Sequence, residues 1–265
     1  MKSLSFDSMA GLYDETRVFD RSSFNSSLDF LVERFPPNKF GSIFYPGIGT
    51  GRIAIPLAER GYRITGIDIS KKMLVLLKKR LTRAGQPLPV SFQEADVTKI
   101  PFPNETFDIA IAVHLFYFIS EWKQAVDEIL RVVKGSGPLI LMQTGAGTEI
   151  PSLNERYKEL CAELGCSIQE IGIKSTREAV DYCESLGFRT EWVRDRWQWT
   201  QHIRLDKALD YIRFRAYSFT TFAPDAMHSK AIDKLESELQ QQFGSLTTEV
   251  EIPNQIYFAV ILRPS

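Results

Sequence analysis

The sequence contains few of the residues that build metal centres and disulfide frameworks. It has only three cysteines and three histidines in 265 residues. Cys161, Cys166 and Cys183 lack the spacing of a structural zinc site, which needs about four ligands, and no histidine lies near a cysteine pair. The sequence therefore predicts no metal site, and it predicts three small apolar thiols in a reducing compartment.

An excess of one charge and long apolar segments are also absent. The 32 basic and 33 acidic residues give a net charge of −1. This balance argues against a dedicated nucleic-acid binder, so neither DNA nor RNA is expected as a partner. The longest apolar run, 109–118, contains His114 and is shorter than the roughly 18 residues that cross a bilayer. Since the N-terminus soon turns polar and does not resemble a signal peptide, we expect a cytoplasmic protein without a membrane span.

What the sequence does contain is a regular alternation of strand and helix patterns. With 44% hydrophobic and 12% aromatic residues, the chain can bury a large core. Strands are predicted at 42–45, 62–69, 90–95, 107–113 and 138–142, and helices at 22–35, 52–60, 71–81 and 121–133. This alternation predicts a parallel sheet with helices on both faces.

After residue 145 the pattern changes. Helices are predicted at 151–164, 175–186, 205–216 and 224–243, and strands at 189–200 and 247–262, the last with a break at Pro253-Asn254. The stretches 146–174 and 201–245 are interpreted as helical lid insertions over the carboxyl edge of the sheet, where open α/β sheets bind ligands. Residues 41–145 then form a binding core, which 175–200 and 246–265 complete.

A glycine cluster between the first strand and the next helix is the strongest single signal. Gly47, Gly49 and Gly51 let the backbone turn tightly and approach a ligand, and the following helix directs its free N–H groups to the same place. Asp68 ends the next strand about 20 residues on, where a carboxylate can accept from ribose hydroxyls. The nicotinamide fingerprint requires a glycine at position 52, which is Arg52 here. The spacing therefore favours another adenosine-containing ligand.

Further motifs occur in the order and spacing of one enzyme family. They lie at 6–14, 94–97, 100–103, 106–108 and 128–134. Together with the glycine cluster and Asp68, they make residues 5–143, and more weakly 175 onward, resemble the class I S-adenosylmethionine-dependent methyltransferases. Within that family the sequence is most similar to small-molecule enzymes such as those of ubiquinone and menaquinone biosynthesis. One departure is Tyr45, at a position where the family usually has an acidic residue.

The resemblance implies both a fold and a cofactor. The implied fold is Rossmann-like: a doubly wound α/β protein whose seven-stranded sheet is mostly parallel with an antiparallel last strand. The implied cofactor is S-adenosylmethionine, with S-adenosylhomocysteine as product, and residues 1–40 would be N-terminal helices that cover it. Asp68 would accept from the ribose and Asp96 from the adenine amine. The implied cofactor-binding residues are Gly47, Gly49, Thr50, Gly51, Asp68, Ile69, Asp96, Val97 and Tyr13.

Aromatic residues near the predicted donor site indicate the kind of acceptor. Methyl transfer is an in-line displacement, so the acceptor must be held about 3 Å from the methyl carbon and out of water. Aromatic walls exclude water and tolerate a positive charge. We therefore predict a small apolar or aromatic acceptor. The predicted pocket residues are Phe116, Tyr117, Trp197 and Tyr217.

Two residues are candidates for a direct part in catalysis. His114 follows the fourth strand and is either a general base, since imidazole titrates near neutrality, or a structural histidine. Tyr13 would either orient the acceptor or close over the donor. The other histidines, His202 and His228, are expected at the surface of the lid helices.

Two alternatives to a small-molecule methyltransferase stay open. One is a methyltransferase that acts on RNA or protein, which a basic surface around the pocket mouth would favour. The clustered arginines that would form it are Arg194, Arg196, Arg204, Arg213 and Arg215. The other alternative is a protein that binds the cofactor without catalysis, which Tyr45 leaves open.

Overall fold

The structure is a computed structural model that describes residues 5–7, 16, 18–146, 151–168 and 171–264. Tyr13 lies outside the described residues, so its predicted role stays a prediction. Within the described ranges, no helix combines the length and the apolar character that crossing a bilayer requires.

One sheet of seven strands organises the described part of the chain. The strands are β1 (Ser42–Pro46), β2 (Arg63–Asp68), β3 (Val90–Glu94), β4 (Ile109–Val113), β5 (Leu139–Ala146), β6 (Arg189–Arg204) and β7 (Glu249–Leu262). Their order is β3-β2-β1-β4-β5-β7-β6. Strands β1 to β5 pair in parallel, and β7 pairs antiparallel with both β5 and β6. The predicted Rossmann-like fold class is confirmed.

The helices begin and end within a few residues of their predicted bounds. They are α1 (Arg21–Arg34), α2 (Ala54–Glu59), α3 (Lys71–Arg83), α4 (Trp122–Val132), α5 (Pro151–Glu163), α6 (Thr176–Ser185), α7 (Leu205–Arg213) and α8 (Asp225–Phe243), with short 3₁₀ helices at Phe116–Phe118 and Ser218–Phe222. Ser70 caps α3, because its hydroxyl accepts from the Met73 N–H at 3.2 Å. Pro56 is tolerated because it lies in the first turn of α2, where its missing N–H has no intrahelical partner.

Apolar layers cover both faces of the sheet. In β5, Leu139 and Leu141 pack with α4 and α6 on one face. Their neighbours Ile140 and Met142 pack with α1, α2 and α3 on the other face. Successive strand residues point to opposite faces, so a continuous apolar run indicates burial on both sides. Each such side chain contributes about 1.5–3 kcal/mol when it is fully buried.

The last two strands differ from their predicted form. Strand β6 includes 201–204, which were assigned to a lid insertion. Strand β7 continues through Pro253-Asn254, where Pro253 pairs with Thr200, so the predicted break is wrong. The described pairing of β5 with β7 ends at Asn254, so the missing N–H of the proline is not needed on that side. The irregularity lies instead in β6, between Val193 and Trp197.

Helices α5, α7 and α8 form a separate apolar cluster beside the sheet. Inside it, the Tyr157 hydroxyl lies 2.6 Å from His228 Nδ1, and His228 Nε2 lies 3.0 Å from the Arg213 carbonyl oxygen. A carbonyl oxygen can only accept, so Nε2 carries the proton and Nδ1 accepts from Tyr157. The expectation that His228 lies at the surface is wrong, since it is 7% exposed. Burial lowers the pKa of His228, which favours the neutral ring.

Candidate functional site

The glycine loop between β1 and α2 adopts a conformation that favours glycine. Gly47, Gly49 and Gly51 all have positive φ angles, of 69°, 56° and 79°. The N–H groups of Gly47 and of the following isoleucine both donate to the Ile67 carbonyl, at 2.8 and 3.0 Å. A Cβ atom at Gly51 would lie 2.4 Å from Leu77 Cδ1, inside the buried face of α3. The loop is therefore held against β2 and α3 in a shape that a side chain would disturb.

Asp68 connects this loop to the start of α3. Its Oδ2 accepts from the Gly49 N–H and its Oδ1 accepts from the Ser70 N–H, both at 2.8 Å. Burial raises the pKa of Asp68, while these two N–H groups act in the opposite direction. Each carboxylate oxygen keeps a further acceptor position, because an ionised carboxylate offers about four in all.

Asp68 lines a small cavity of about 80 Å³ together with most of the predicted cofactor residues. The predicted residues that meet there are Gly47, Gly49, Asp68, Ile69, Asp96 and Val97. The turn after β3 fixes Asp96, whose Oδ1 accepts from both the N–H and the hydroxyl of Thr98 at 2.9 Å. Residues from the ends of three neighbouring strands thus meet at one edge of the sheet, as expected for an open α/β fold.

The described part of the N-terminal segment lies against this cavity. Asp7 Oδ1 accepts from the Ser70 hydroxyl at 2.5 Å and from the Lys72 N–H at 3.2 Å. Phe6 lines the cavity, and its ring meets the Phe118 ring edge-on at a centroid distance of 4.8 Å. Residues 5–7 are therefore attached to the N-terminus of α3 and to the segment after β4.

A larger cavity of about 510 Å³ adjoins the first. Both are lined by Phe6, Gly47, Gly49, Val113, His114 and Phe118. The larger cavity also takes in Thr50 of the glycine loop, as well as Tyr45 and Arg52 on either side of that loop. Its lining also includes residues of α5, of the strap 171–173 and of the 3₁₀ helix Ser218–Phe222. The space therefore extends from the glycine loop at the sheet edge to α5 and this 3₁₀ helix.

His114 lines both cavities in a strained conformation. Its φ is 49°, which is uncommon for a residue with a side chain and is often found at functional sites. Its Nε2 accepts from the Thr144 N–H at 3.0 Å and lies 2.7 Å from the Thr144 hydroxyl. A backbone N–H can only donate, so Nε2 is unprotonated and its lone pair is engaged, which places the ring proton of the neutral form on Nδ1. This arrangement argues against the general-base role and favours a positioning role.

Of the four predicted pocket residues, Tyr117 and Tyr217 line the larger cavity, whereas Phe116 and Trp197 do not. Phe116 is 2% exposed and packs in the core cluster between the sheet, α4 and α6. Trp197 is 5% exposed, and its Nε1 donates to the Ser26 hydroxyl at 3.1 Å on α1. Both residues are therefore corrected from pocket residues to core residues.

Several lining residues that sequence reasoning missed lie on or near α5, the strap 171–173 and the 3₁₀ helix Ser218–Phe222, and others lie at the sheet edge. Among them are Asn154, Lys158, Ile168, Ile171, Ile173 and Ser218, together with Phe19, Val113 and Thr144. The strap follows the 3₁₀ helix closely: the Gly172 N–H donates to the Tyr117 carbonyl and the Ile173 N–H to the Phe116 carbonyl, both at 3.2 Å. Nothing in the local pattern of the strap indicates this contact, since it joins segments more than 50 residues apart.

Replacing Gly172 with alanine is expected to separate the strap from the 3₁₀ helix. The new Cβ would lie 1.8 Å from the Phe116 backbone oxygen, which cannot move aside as a side-chain tip can. We expect a stability loss of about 1–3 kcal/mol, as for other overpacked sites. Hydrogen exchange should show that the Gly172 and Ile173 amides, protected in the parent, exchange rapidly in the variant.

The matched control for this change is Gly135→Ala, in a turn where the nearest atom to the new Cβ is a glutamate oxygen at 3.5 Å. It should leave the exchange of the strap amides unchanged. Parent-like protection of those amides in Gly172→Ala would contradict the observed close approach.

The clustered arginines are engaged in ion pairs and ring contacts. Three pair with acidic residues: Arg204 with Asp206, Arg213 with Asp210 and Glu236, and Arg215 with Asp225. The guanidinium of Arg194 lies 3.8 Å above the Trp192 ring, and that of Arg196 lies 5.3 Å from the Phe30 ring. This arrangement does not favour an RNA or protein acceptor, because three of the five charges already have carboxylate partners.

Comparison with known proteins agrees with this geometry. Residues 44–141 match the family described as a methyltransferase domain. The demethylmenaquinone methyltransferase of Thermus thermophilus is 29% identical over 119 residues, which are 44% of this chain and 51% of that protein. The chain spans about half the length of the curated relatives it matches.

Solved structures share the fold over most of the chain. The YcgJ protein of Bacillus subtilis superposes with a TM-score of 0.61 and 20% identity, covering 91% of this chain and 99% of that one. The phosphoethanolamine N-methyltransferase 2 of Haemonchus contortus, solved with S-adenosyl-L-methionine, has a TM-score of 0.53 and 18% identity, covering 99% and 60%. The match of residues 44–141 to the methyltransferase domain and the similarity to these relatives confirm the predicted resemblance of this chain to the class I small-molecule methyltransferases.

Proposed function

We propose that this protein transfers a methyl group from S-adenosylmethionine to a small acceptor with an apolar or aromatic body. The observation that carries the proposal is the joining of two cavities. One is lined by the glycine loop, Asp68 and Asp96, and it opens beside a larger cavity with aromatic walls. A donor whose adenosine part occupies the first cavity would extend past the glycine loop and present its methyl group to an acceptor in the second.

The residues of the smaller cavity fit an adenosine group. Asp68 is held by two backbone N–H groups and has acceptor positions left for two ribose hydroxyls. Asp96 is fixed by Thr98 at a position that suits the exocyclic amine of adenine. The related enzyme from Haemonchus contortus was solved with S-adenosyl-L-methionine, which supports the same donor here.

The methionine part of the donor would lie in the larger cavity beside the glycine loop. Arg52 lines that cavity one residue after Gly51, and its guanidinium lies 4.3 Å from the Phe19 ring centroid. We assign Arg52 to the donor carboxylate, because a guanidinium suits a carboxylate in geometry and charge. Tyr45, which is 4% exposed and lines the same cavity, replaces the usual acidic residue and would offer a hydroxyl to the amino group.

S-adenosylmethionine, when bound, supplies an electrophilic methyl group on a positively charged sulfur. The protein would then contribute alignment and exclusion of water, which together are worth several kcal/mol, on the order of 7–11 in the best cases. Tyr117, Tyr217 and Phe219 provide the aromatic wall. Thr144 and His114 form a fixed polar pair at the end of β4 and β5, which would orient the acceptor.

The proposal is tested first by binding and then by transfer. Calorimetry with S-adenosylhomocysteine should give one site per chain. Donor carrying a tritiated methyl group should then label the small-molecule fraction of a cell extract, and not its RNA or protein fraction. A flat calorimetric trace would overturn the proposal, and label confined to macromolecules would overturn the small-molecule acceptor.

A further inference from the structure

The lid carries a cation into the far end of the larger cavity. Lys158 lies on α5 and lines the cavity together with Asn154, one helical turn earlier on the same face. Both come from the lid, whereas the donor residues come from the sheet edge. Lys158 therefore belongs to the acceptor side of the cavity.

The surroundings of Lys158 are apolar and aromatic. Its Nζ lies 5.5 Å from the Phe219 ring centroid, and that ring stacks on Tyr217 at 5.5 Å with an interplanar angle of 9°. Ile168 and Phe222 complete this part of the lining. The Lys158 side chain is 24% exposed, so an anion that enters the cavity meets its ammonium group in a less polar surrounding than bulk water and gains a stronger interaction there.

The charges that line the cavity have one sign. Among its described lining residues there are two cations, Arg52 and Lys158, and no carboxylate. Lys158 Nζ does pair with Glu155 Oε1 at 2.8 Å, but Glu155 lies outside the lining and its side chain is 59% exposed. Exposed pairs three residues apart on a helix are weak, so a bound anion can replace this carboxylate.

We propose that the acceptor carries a carboxylate on its apolar body, and that Lys158 binds this carboxylate with help from the Asn154 amide. The inference rests on the proposed function, since Arg52 is assigned there to the donor. One ammonium and one neutral amide match a monoanion, whereas a phosphate monoester would require more positive charge. Lys158 thus selects the acceptor, and it takes no part in the chemical step.

The test compares two probes of the same shape that differ in charge. The probes are 1-naphthylacetate and 1-naphthylacetamide, titrated into the protein with and without saturating S-adenosylhomocysteine. We expect the acid to bind at least 10-fold more tightly than the amide, because a charge-assisted hydrogen bond is worth about a 10- to 100-fold change in affinity. Equal affinities for the acid and the amide, both with and without S-adenosylhomocysteine, would overturn the proposal.

Three variants assign the effect to Lys158. Lys158→Met keeps the apolar stem of the side chain. It should weaken the binding of 1-naphthylacetate about 10-fold or more and leave the affinity for 1-naphthylacetamide unchanged. Glu155→Gln removes one carboxylate that competes for Lys158 and should tighten the binding of 1-naphthylacetate by about 2- to 5-fold. Lys230→Met, on the exposed side of α8, is the matched control and should change neither probe.

The outcomes separate this inference from the proposed function. If S-adenosylhomocysteine binds but Lys158→Met leaves the affinity for the acid unchanged, the carboxylate site is wrong and the methyltransferase proposal stands. If S-adenosylhomocysteine does not bind at all, the proposed function fails and this inference falls with it.

Discussion

Replacement of Asp68 by asparagine is expected to weaken the binding of S-adenosylhomocysteine by about 100-fold. The carboxylate accepts from two backbone N–H groups and would accept from the ribose hydroxyls as well. An amide offers one oxygen instead of two, so an N–H group and a ribose hydroxyl lose their charged acceptor. Each charge-assisted hydrogen bond is worth about 1.5–3 kcal/mol, and a hundredfold change corresponds to about 2.7 kcal/mol. Isothermal titration calorimetry measures the affinity directly.

Asp233→Asn is the control for this experiment. Asp233 is exposed on α8, far along the chain from the glycine loop, so the affinity should not change. The pH dependence of binding gives a second readout for Asp68. Burial raises the pKa of Asp68, so this carboxylate becomes protonated at a higher pH than an ordinary aspartate does. On acidification, the parent should therefore begin to lose affinity for S-adenosylhomocysteine at that higher pH. The asparagine variant should lack this loss. If the dissociation constant of Asp68→Asn for S-adenosylhomocysteine lies within about threefold of the parent value, Asp68 does not bind the ribose.

Replacement of Gly66 by alanine is expected to destabilise the protein by about 2–3 kcal/mol, at the upper end for overpacking. Gly66 lies in β2, and an added Cβ would lie 2.3, 2.7 and 2.9 Å from three atoms of Ile48. Ile48 is 4% exposed and lies between Gly47 and Gly49, so its displacement would also move the glycine loop. We therefore expect weaker binding of S-adenosylhomocysteine in addition to a lower urea midpoint.

A second strand glycine provides the matched control. At Gly145 in β5 the nearest atom to an added Cβ is Tyr257 Cε1 at 3.7 Å, which is an ordinary contact. Gly145→Ala should change the free energy of unfolding by less than about 0.5 kcal/mol, or stabilise slightly through the unfolded state. Equal urea midpoints for the two alanine variants would show that the close approach of Ile48 to Gly66 does not exclude a side chain at position 66.

The elements of the fold could be predicted because their signals are local. The predicted strand 107–113 is apolar except for Asp108, and β4 within it is indeed buried on both faces. Ser70 directly precedes the predicted helix 71–81, which is the favoured place for a capping serine, and its hydroxyl accepts from the third residue of α3. The extension of β6 was not predicted, because residues 201–204 become a strand only by pairing with β7.

The lining of the larger cavity was predicted less well than the lining of the smaller one. Trp197 was expected in the pocket as one of several aromatic residues near the predicted lid, but its ring packs edge-on against Phe258 in the core. Conversely, Lys158 reads as an ordinary surface lysine of an amphipathic helix. The packing of segments that are distant in the chain decides which aromatic residue faces a cavity. The local sequence pattern of a single segment therefore does not predict it.

The sequence by itself determined the order of strands and helices, the glycine loop, and the carboxylates at the ends of β2 and β3. These features follow from residue periodicity and from the carboxyl ends of parallel strands, which meet at one edge in any such sheet. The tertiary structure alone decided how the strap 171–173, α5 and the 3₁₀ helix Ser218–Phe222 pack beside that edge, and which of their side chains line the larger cavity. Contacts such as that of Gly172 with the Phe116 carbonyl join segments far apart in the chain, so only the folded packing specifies them.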